Sequence, residues 1–242
     1  RLNTDLDSTP RNENIDLAAL GETDFDKFKL VYQPLISLHA NNTERYEVLL
    51  RYEDSNRQLL VPNRFLPQAR LDNKTEDLDK WVISHVLETQ LHSQKNNQIL
   101  FIHVDGSTLA NLNLLSWLST TLKKFRVSTD QLVIQISESV FYNNKTIALE
   151  FCAGLRELGI GLSITKINNS LDPLPLLTEA KPDFTRLDQN LVKDCAYSVH
   201  QQQRVKKLIN AIHYQEILVG VTGIEEFEML PLLWELGLDF VQ

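Results

Sequence analysis

From residue 28 onward, short apolar runs alternate with longer stretches in which apolar residues recur every three to four positions. That alternation of period-two and helical patterning is how successive βα units read. It predicts strands over 29–36, 46–51, 99–104, 132–136, 161–164, 184–187, 217–221 and 239–241. Helical stretches fall between them, over 79–94, 109–125, 145–158, 173–179, 201–214 and 224–236. Gly159 and Gly237 stand just past Leu-rich stretches, where helices commonly end in a left-handed residue. Pro231 predicts a kink or a late start in the last helix. The connection 39–44 is too short for a crossover helix, so the first two strands must pair antiparallel. No repeat of fixed period is present, which excludes a solenoid.

Length and composition narrow the class. The chain has 242 residues, 43% of them apolar, enough for a substantial core and close to the ~250 residues typical of a (β/α)8 barrel. One barrel is therefore the expectation rather than two small domains. The net charge of -8 argues against nucleic-acid polymers and anionic membranes, which need concentrated Lys and Arg. No uninterrupted apolar run reaches the ~18 residues of a membrane span. Cys152 and Cys195 lack CxxC spacing and are expected to be reduced thiols of a cytoplasmic protein rather than a bridge or a zinc site. The opening residues are polar, with one amphipathic patch (Ile15, Leu17, Leu20) ended by Gly21. They are read as a linker or docking helix over 1–25, ahead of a domain over 26–242. The chain does not begin with Met and is expected to be a piece of something longer.

Chemistry concentrates in Arg45-Tyr46-Glu47-Val48-Leu49-Leu50-Arg51. On a strand, alternation puts Glu47, Leu49 and Arg51 on one face and Val48 and Leu50 on the other. Taken alone, these residues read best as a surface ladder of charges. The preceding Val-Tyr-Gln-Pro-Leu-Ile-Ser-Leu over 31–38 tips the reading toward a site. Together the two segments resemble the EAL domain family of cyclic di-GMP phosphodiesterases and receptors, in which a Tyr-Gln-Pro strand leads into Glu-Ala-Leu-Leu-Arg. The Glu-Val-Leu-Leu-Arg version resembles the family's FimX-type branch, regulators of type IV pili.

The resemblance implies an α/β fold: a modified TIM-type (β/α)8 barrel with one antiparallel strand. It also implies a phosphodiester-cleaving centre holding two divalent ions on carboxylates and an amide. Glu47 matches the first ligand. The family's Asn falls on His103, its next Glu on Gln135, and its Asp-Asp-Phe-Gly-Thr-Gly on the segment that opens Thr165-Lys166-Ile167-Asn168. Its Lys falls on Arg186, and two further acids fall on Gly220 and Gly223. The expectation is a degenerate centre with no catalytic residue, no metal and no other cofactor. A single zinc on Glu47 and His103 is a weak signal, and His103 reads better as a hydrogen-bonded core histidine.

The groups that would face a nucleotide survive: Gln33, Leu49, Leu50, Arg51 and Asp79 match the family. Arg51 suits a phosphate, and Asp79 the N–H donors of a guanine edge. Lys166 and Arg186 are expected to place charge where a metal would sit, pairing Glu47 and easing phosphate binding. Each has a plain alternative: Arg51 pairing Glu47, Asp79 as a first-turn acid at a helix N-terminus, Lys166 as a solvated loop residue. The expectation is therefore an inactive cyclic di-GMP receptor in pilus and twitching-motility signalling. A PilZ-type adaptor and the pilus-assembly ATPase machinery are its implied partners. The alternatives are a ligand-free interaction module and an active metal-dependent phosphodiesterase. The family's closing Gly-Tyr-Leu and helix have no counterpart before Gln242.

Overall fold

Alternating apolar positions give this chain a sheet with two buried faces, one turned to helices and one turned inward on itself. The computed structural model describes residues 24–39, 43–93, 98–111, 113–168, 172–224 and 227–242. In chain order the strands are β1 (Phe28–Pro34), β2 (Ile36–Ser37), β3 (Glu44–Glu53), β4 (Leu59–Leu60), β5 (Gln98–His103), β6 (Leu132–Ser137), β7 (Gly161–Ile167), β8 (Phe184–Leu187), β9 (Leu218–Val221) and β10 (Phe240–Val241). The helices are α1 (Pro62–Leu71), α2 (Thr75–Ser93), α3 (Asn113–Phe125), α4 (Glu138–Asn143), α5 (Lys145–Glu157), α6 (Leu174–Ala180), α7 (Gln189–Lys193), α8 (Val199–His213) and α9 (Leu230–Leu236).

The sheet runs β1-β3-β5-β6-β7-β8-β9-β10-β2, with β4 paired to β3. β1 lies antiparallel to β3, Gln33 opposite Glu47, as the short connection requires. β3 then pairs parallel with β5, and parallel pairing continues around to β10. β10 meets β2 antiparallel, Phe240 opposite Ser37. Because only Leu35 separates β1 from β2, the first arm of the chain borders both edges of the sheet and closes it into a barrel.

Outward positions such as Leu100, Ile102, Ile134, Ile164 and Val219 join the helices in one large core. Inward positions split by height. The lower barrel is filled by Leu35, Phe101, Val133, Phe184 and Phe240, with Phe101 and Phe184 edge-to-face at 5.0 Å. Above that plug the inward residues turn polar. Gly220 belongs to the plug: a Cβ there would meet the Phe240 ring at 2.1 Å. A third cluster, Phe28, Phe65, Ala69 and Leu78, seats α1 and α2 against β1.

The predicted strands all form, but the first, expected to run unbroken over 29–36, is divided at Leu35 just past Pro34. Pro231 falls in the first turn of α9, so the helix starts late instead of kinking. Helix α1 escapes a reading by pattern because it carries Pro62 in its first turn and Pro67 in its interior, both ordinarily breakers or starters. Helices α4 and α7 are too short to show helical periodicity. The expected linker or docking helix lies almost wholly outside the described residues; at its end Phe25 stacks on Trp81 at 5.9 Å. No helix among the described residues is long and apolar enough to cross a membrane.

Gly220→Ala should destabilise the fold by about 1–3 kcal/mol through overpacking against Phe240. Pairing it with Phe240→Leu, which shortens the offending ring, should recover part of the loss in thermal denaturation.

Candidate functional site

A cavity of about 660 Å³ opens at the C-terminal ends of the strands, walled on one side by α1 and the start of α2. Its base is the polar layer above the aromatic plug. There Arg186, 3% exposed on β8, forks onto Glu47 of β3, with Nη2 to Oε1 at 2.6 Å and Nη1 to Oε2 at 3.1 Å. Two amides complete the layer. Gln135 donates to Glu47 Oε1 at 2.8 Å and accepts from Arg186 Nη2. Gln242 donates to Glu47 Oε2 and accepts from Arg186 Nη1 at 2.7 Å. Only Arg186 Nε is left without a partner among the guanidinium nitrogens. Burial pushes the Glu47 carboxyl upward, but the Arg186 fork, its charge and the two amide donors outweigh it and hold the group at about 2.

Above this layer sit His103, Thr165 and Lys166. His103 lines the cavity with an exposed side chain and is not the core histidine that the sequence suggests. Desolvation lowers its pKa to about 4, helped by the Lys166 charge, so it is neutral at ordinary pH. Lys166 has a left-handed backbone, φ 61°, at a register shift between Ile164 and Ile167. Its ammonium makes no salt bridge among the described residues. The expected pairing of Lys166 with Glu47 is therefore corrected, whereas Arg186, expected beside it, reaches across the barrel from β8 and occupies both carboxylate oxygens.

On the α1 side, Asp79 is 9% exposed, and its Oδ2 accepts from Thr108 Oγ1 at 2.7 Å and from the Asp105 N–H at 3.0 Å. Burial raises Asp79 to about 7 against those two hydrogen bonds. Asp105 in turn holds Arg70 of α1 at 2.6 Å. Gln33, Leu49 and Leu50 also line the cavity. Arg51 does not: its Nη1 donates to the Leu50 carbonyl at 2.9 Å, and it pairs with Leu50's backbone rather than with Glu47. Pattern reading missed Arg70, Asp105, Thr108 and Gln242. Arg70 was hidden by the prolines of α1, and Gln242 declares itself only through the closure of the barrel.

Divalent ions fit this residue set poorly. Among the described residues no group of three or more His, Cys, Asp or Glu side chains comes together, whereas hard cations need several oxygen ligands. Any ion at Glu47 would have to displace a guanidinium that already uses both oxygens. On β9, Gly220 has no room for an acid beside Phe240.

A barrel with a reversed first strand, closed by its own first arm and bearing a polar cavity at the strand C-termini, defines the class. The chain belongs to the EAL domain family, which matches residues 19–242. The crystal structure of the FimX EAL domain from Pseudomonas aeruginosa bound to c-di-GMP is 32% identical, with a TM-score of 0.84, covering 90% of this chain and 88% of that one. The Xanthomonas citri FimX EAL domain in complex with c-diGMP shares the fold at 21% identity, with a TM-score of 0.81, over 90% of this chain and 85% of that one. Among curated proteins, the signaling protein YkoW of Bacillus subtilis is 24% identical over 90% of this chain. The cyclic di-GMP phosphodiesterase NbdA of Pseudomonas aeruginosa is 23% identical over 90% of it. The chain spans only 27% and 28% of those two proteins.

Arg186→Met should cost about 3–5 kcal/mol, because it strands a buried carboxylate; Glu47→Leu with Arg186→Met should recover most of that in chemical denaturation. Asp79 supplies a pH test. Its raised native pKa means the fold binds that proton more tightly than the unfolded chain does, so its contribution to stability falls as pH climbs from about 4 through 7. Asp79→Asn should therefore raise the melting temperature relative to the parent at pH 8 and lose that advantage at pH 5.

Proposed function

We propose that this domain is a cyclic di-GMP receptor that does not hydrolyse its ligand. The observation that carries the reading is the Arg186 fork on Glu47, which puts a fixed cation where the family's chemistry calls for divalent ions. Phosphodiester hydrolysis by two metals needs both a polarised phosphoryl oxygen and an activated water. A guanidinium supplies positive charge without lowering the pKa of a bound water to a useful value. His103 is a poor replacement as general base, because a pKa of about 4 makes it a weak base.

Binding is better served. The cavity volume of about 660 Å³ lies within the ~300–1,000 Å³ range of small-molecule sites. Lys166 on the bulge brings positive charge to the phosphates. Arg51 would join it by giving up the Leu50 carbonyl. Leu49, Leu50 and Leu66 offer apolar faces for the bases, and the carboxylate of Asp79 suits guanine N–H donors. The 32% identity to a FimX EAL domain crystallised with c-di-GMP supports the same ligand here. On that likeness the domain acts in the cytoplasm as the output end of a type IV pilus regulator, with a PilZ-type adaptor and the pilus ATPase machinery as partners. The ligand's exposed half would contribute to the surface those partners meet.

Calorimetric titration with cyclic di-GMP in chelator should show saturable one-site binding, and incubation with magnesium or manganese should yield no linear dinucleotide. Asp79→Ala should weaken binding by about tenfold or more, the value of one buried charged hydrogen bond. Absence of binding would favour a ligand-free interaction module, and linear product would restore the phosphodiesterase.

A further inference from the structure

Arg70 stands at the cavity rim with 52% of its side chain exposed, yet its guanidinium is fixed. Nε and Nη2 both donate to Asp105 Oδ2, at 3.0 and 2.6 Å. Asp105 is itself immobilised: Oδ1 accepts from the Ser107 N–H at 3.0 Å and from Ser107 Oγ at 2.8 Å. Burial pushes the Asp105 carboxyl up, but Arg70 and the Ser107 donors outweigh it and keep it below the usual carboxylate range. The Asp105 N–H then donates to Asp79 Oδ2 at 3.0 Å. One unbroken run of hydrogen bonds thus sets a guanidinium and a carboxylate in a fixed relation on the same wall. They are close enough for the Asp79 charge to act on Arg70. Both residues line the cavity, and Arg70 Nη1 and Asp79 Oδ1 have no hydrogen-bond partner among the described residues.

Guanine offers N1–H and N2–H donors on its Watson–Crick edge, and the acceptors O6 and N7 on the adjoining edge. Adenine inverts the key positions, with an acceptor at N1 and a donor amine at C6. A carboxylate and a guanidinium held side by side therefore match guanine along two neighbouring edges and oppose adenine on both. Rejection is strongest at Asp79, where a mismatched base would leave a buried carboxylate unpaired.

We propose that Arg70 is a specificity-determining residue that reads O6 and N7 of the guanine whose N–H edge meets Asp79, and that the pair sets the cavity against adenine dinucleotides. This rests on the receptor reading and extends it to a residue that Asp105 positions. Phosphate contact is the competing use of the same side chain, and the chemistry separates the two. Replacing N7 of guanine by C–H removes a base acceptor and leaves the phosphates unchanged.

The test is calorimetric titration of the parent domain, Arg70→Ala and Arg70→Lys with cyclic di-GMP, its bis-7-deaza analogue and cyclic di-AMP. The parent should bind the 7-deaza analogue about five- to tenfold more weakly than cyclic di-GMP, the worth of one acceptor in a forked pair, and should bind cyclic di-AMP far more weakly still. Arg70→Ala should bind cyclic di-GMP and the 7-deaza analogue equally, and should narrow the gap to cyclic di-AMP. Arg70→Lys, which keeps the charge but loses the fork, should retain only part of the 7-deaza penalty. An Arg70→Ala variant that binds cyclic di-GMP more weakly but keeps the parent's full 7-deaza penalty would make Arg70 a phosphate contact and overturn the assignment. So would a variant that loses thermal stability alone. A parent that does not bind cyclic di-GMP overturns the receptor reading and this assignment with it, whereas a parent that binds it without any 7-deaza penalty overturns only the assignment.

Discussion

The ion pair between Glu47 and Arg186 is the contact on which the upper half of this barrel depends. A lone carboxylate or guanidinium at that depth would be unstable by several kcal/mol, so each is tolerated only with the other. The forked geometry, with Gln135 and Gln242 bridging both partners, satisfies nearly every lone pair and proton in the layer. The four residues come from β3, β6, β8 and the residue that follows β10. The network therefore ties together strands far apart in sequence and gives the cavity a rigid, electrically balanced base.

Much of this architecture is legible in the chain. Period-two runs separated by helical stretches locate the parallel strands, and a connection too short to cross over fixes the one antiparallel pair. The Glu-Val-Leu-Leu-Arg segment likewise marks the right strand. What the pattern does not carry is partnership across the barrel. The strand pattern puts Glu47 and Arg51 on one face and invites pairing between them; only the family resemblance points to Arg186, which arrives from the other side of the ring, while Arg51 turns to its neighbour's carbonyl. Arg70 is hidden for a different reason, since prolines at the start and in the interior of its segment mask a helix that tertiary packing of Phe65 and Ala69 enforces.

The α1 wall differs in kind from the barrel floor. The floor is closed among its own residues, but along the wall the hydrogen bonds run from α1 through Asp105 to α2 and leave polar atoms turned to the cavity. Asp79 sits there with a proton that is half retained near pH 7, in contrast to Glu47, ionised down to about 2. Two carboxylates in one cavity thus have opposite electrostatic characters because a guanidinium forks directly onto Glu47, whereas Asp79 takes its hydrogen bonds from a hydroxyl and a backbone N–H and feels Arg70 only at a distance.

The closure of the sheet by its own first arm also bears on how the molecule is made. β2 waits for β10, so the last ladder joins Phe240 to Ser37 across nearly the whole chain. During synthesis the early hairpin of β1 and β3 can form locally, but its neighbour's free edge stays open until the final strand emerges. High contact order of this sort slows folding, and an unpaired edge in the interval is exposed to strands of other chains. A nascent domain of this design has a period of vulnerability set by the time the ribosome takes to reach residue 241.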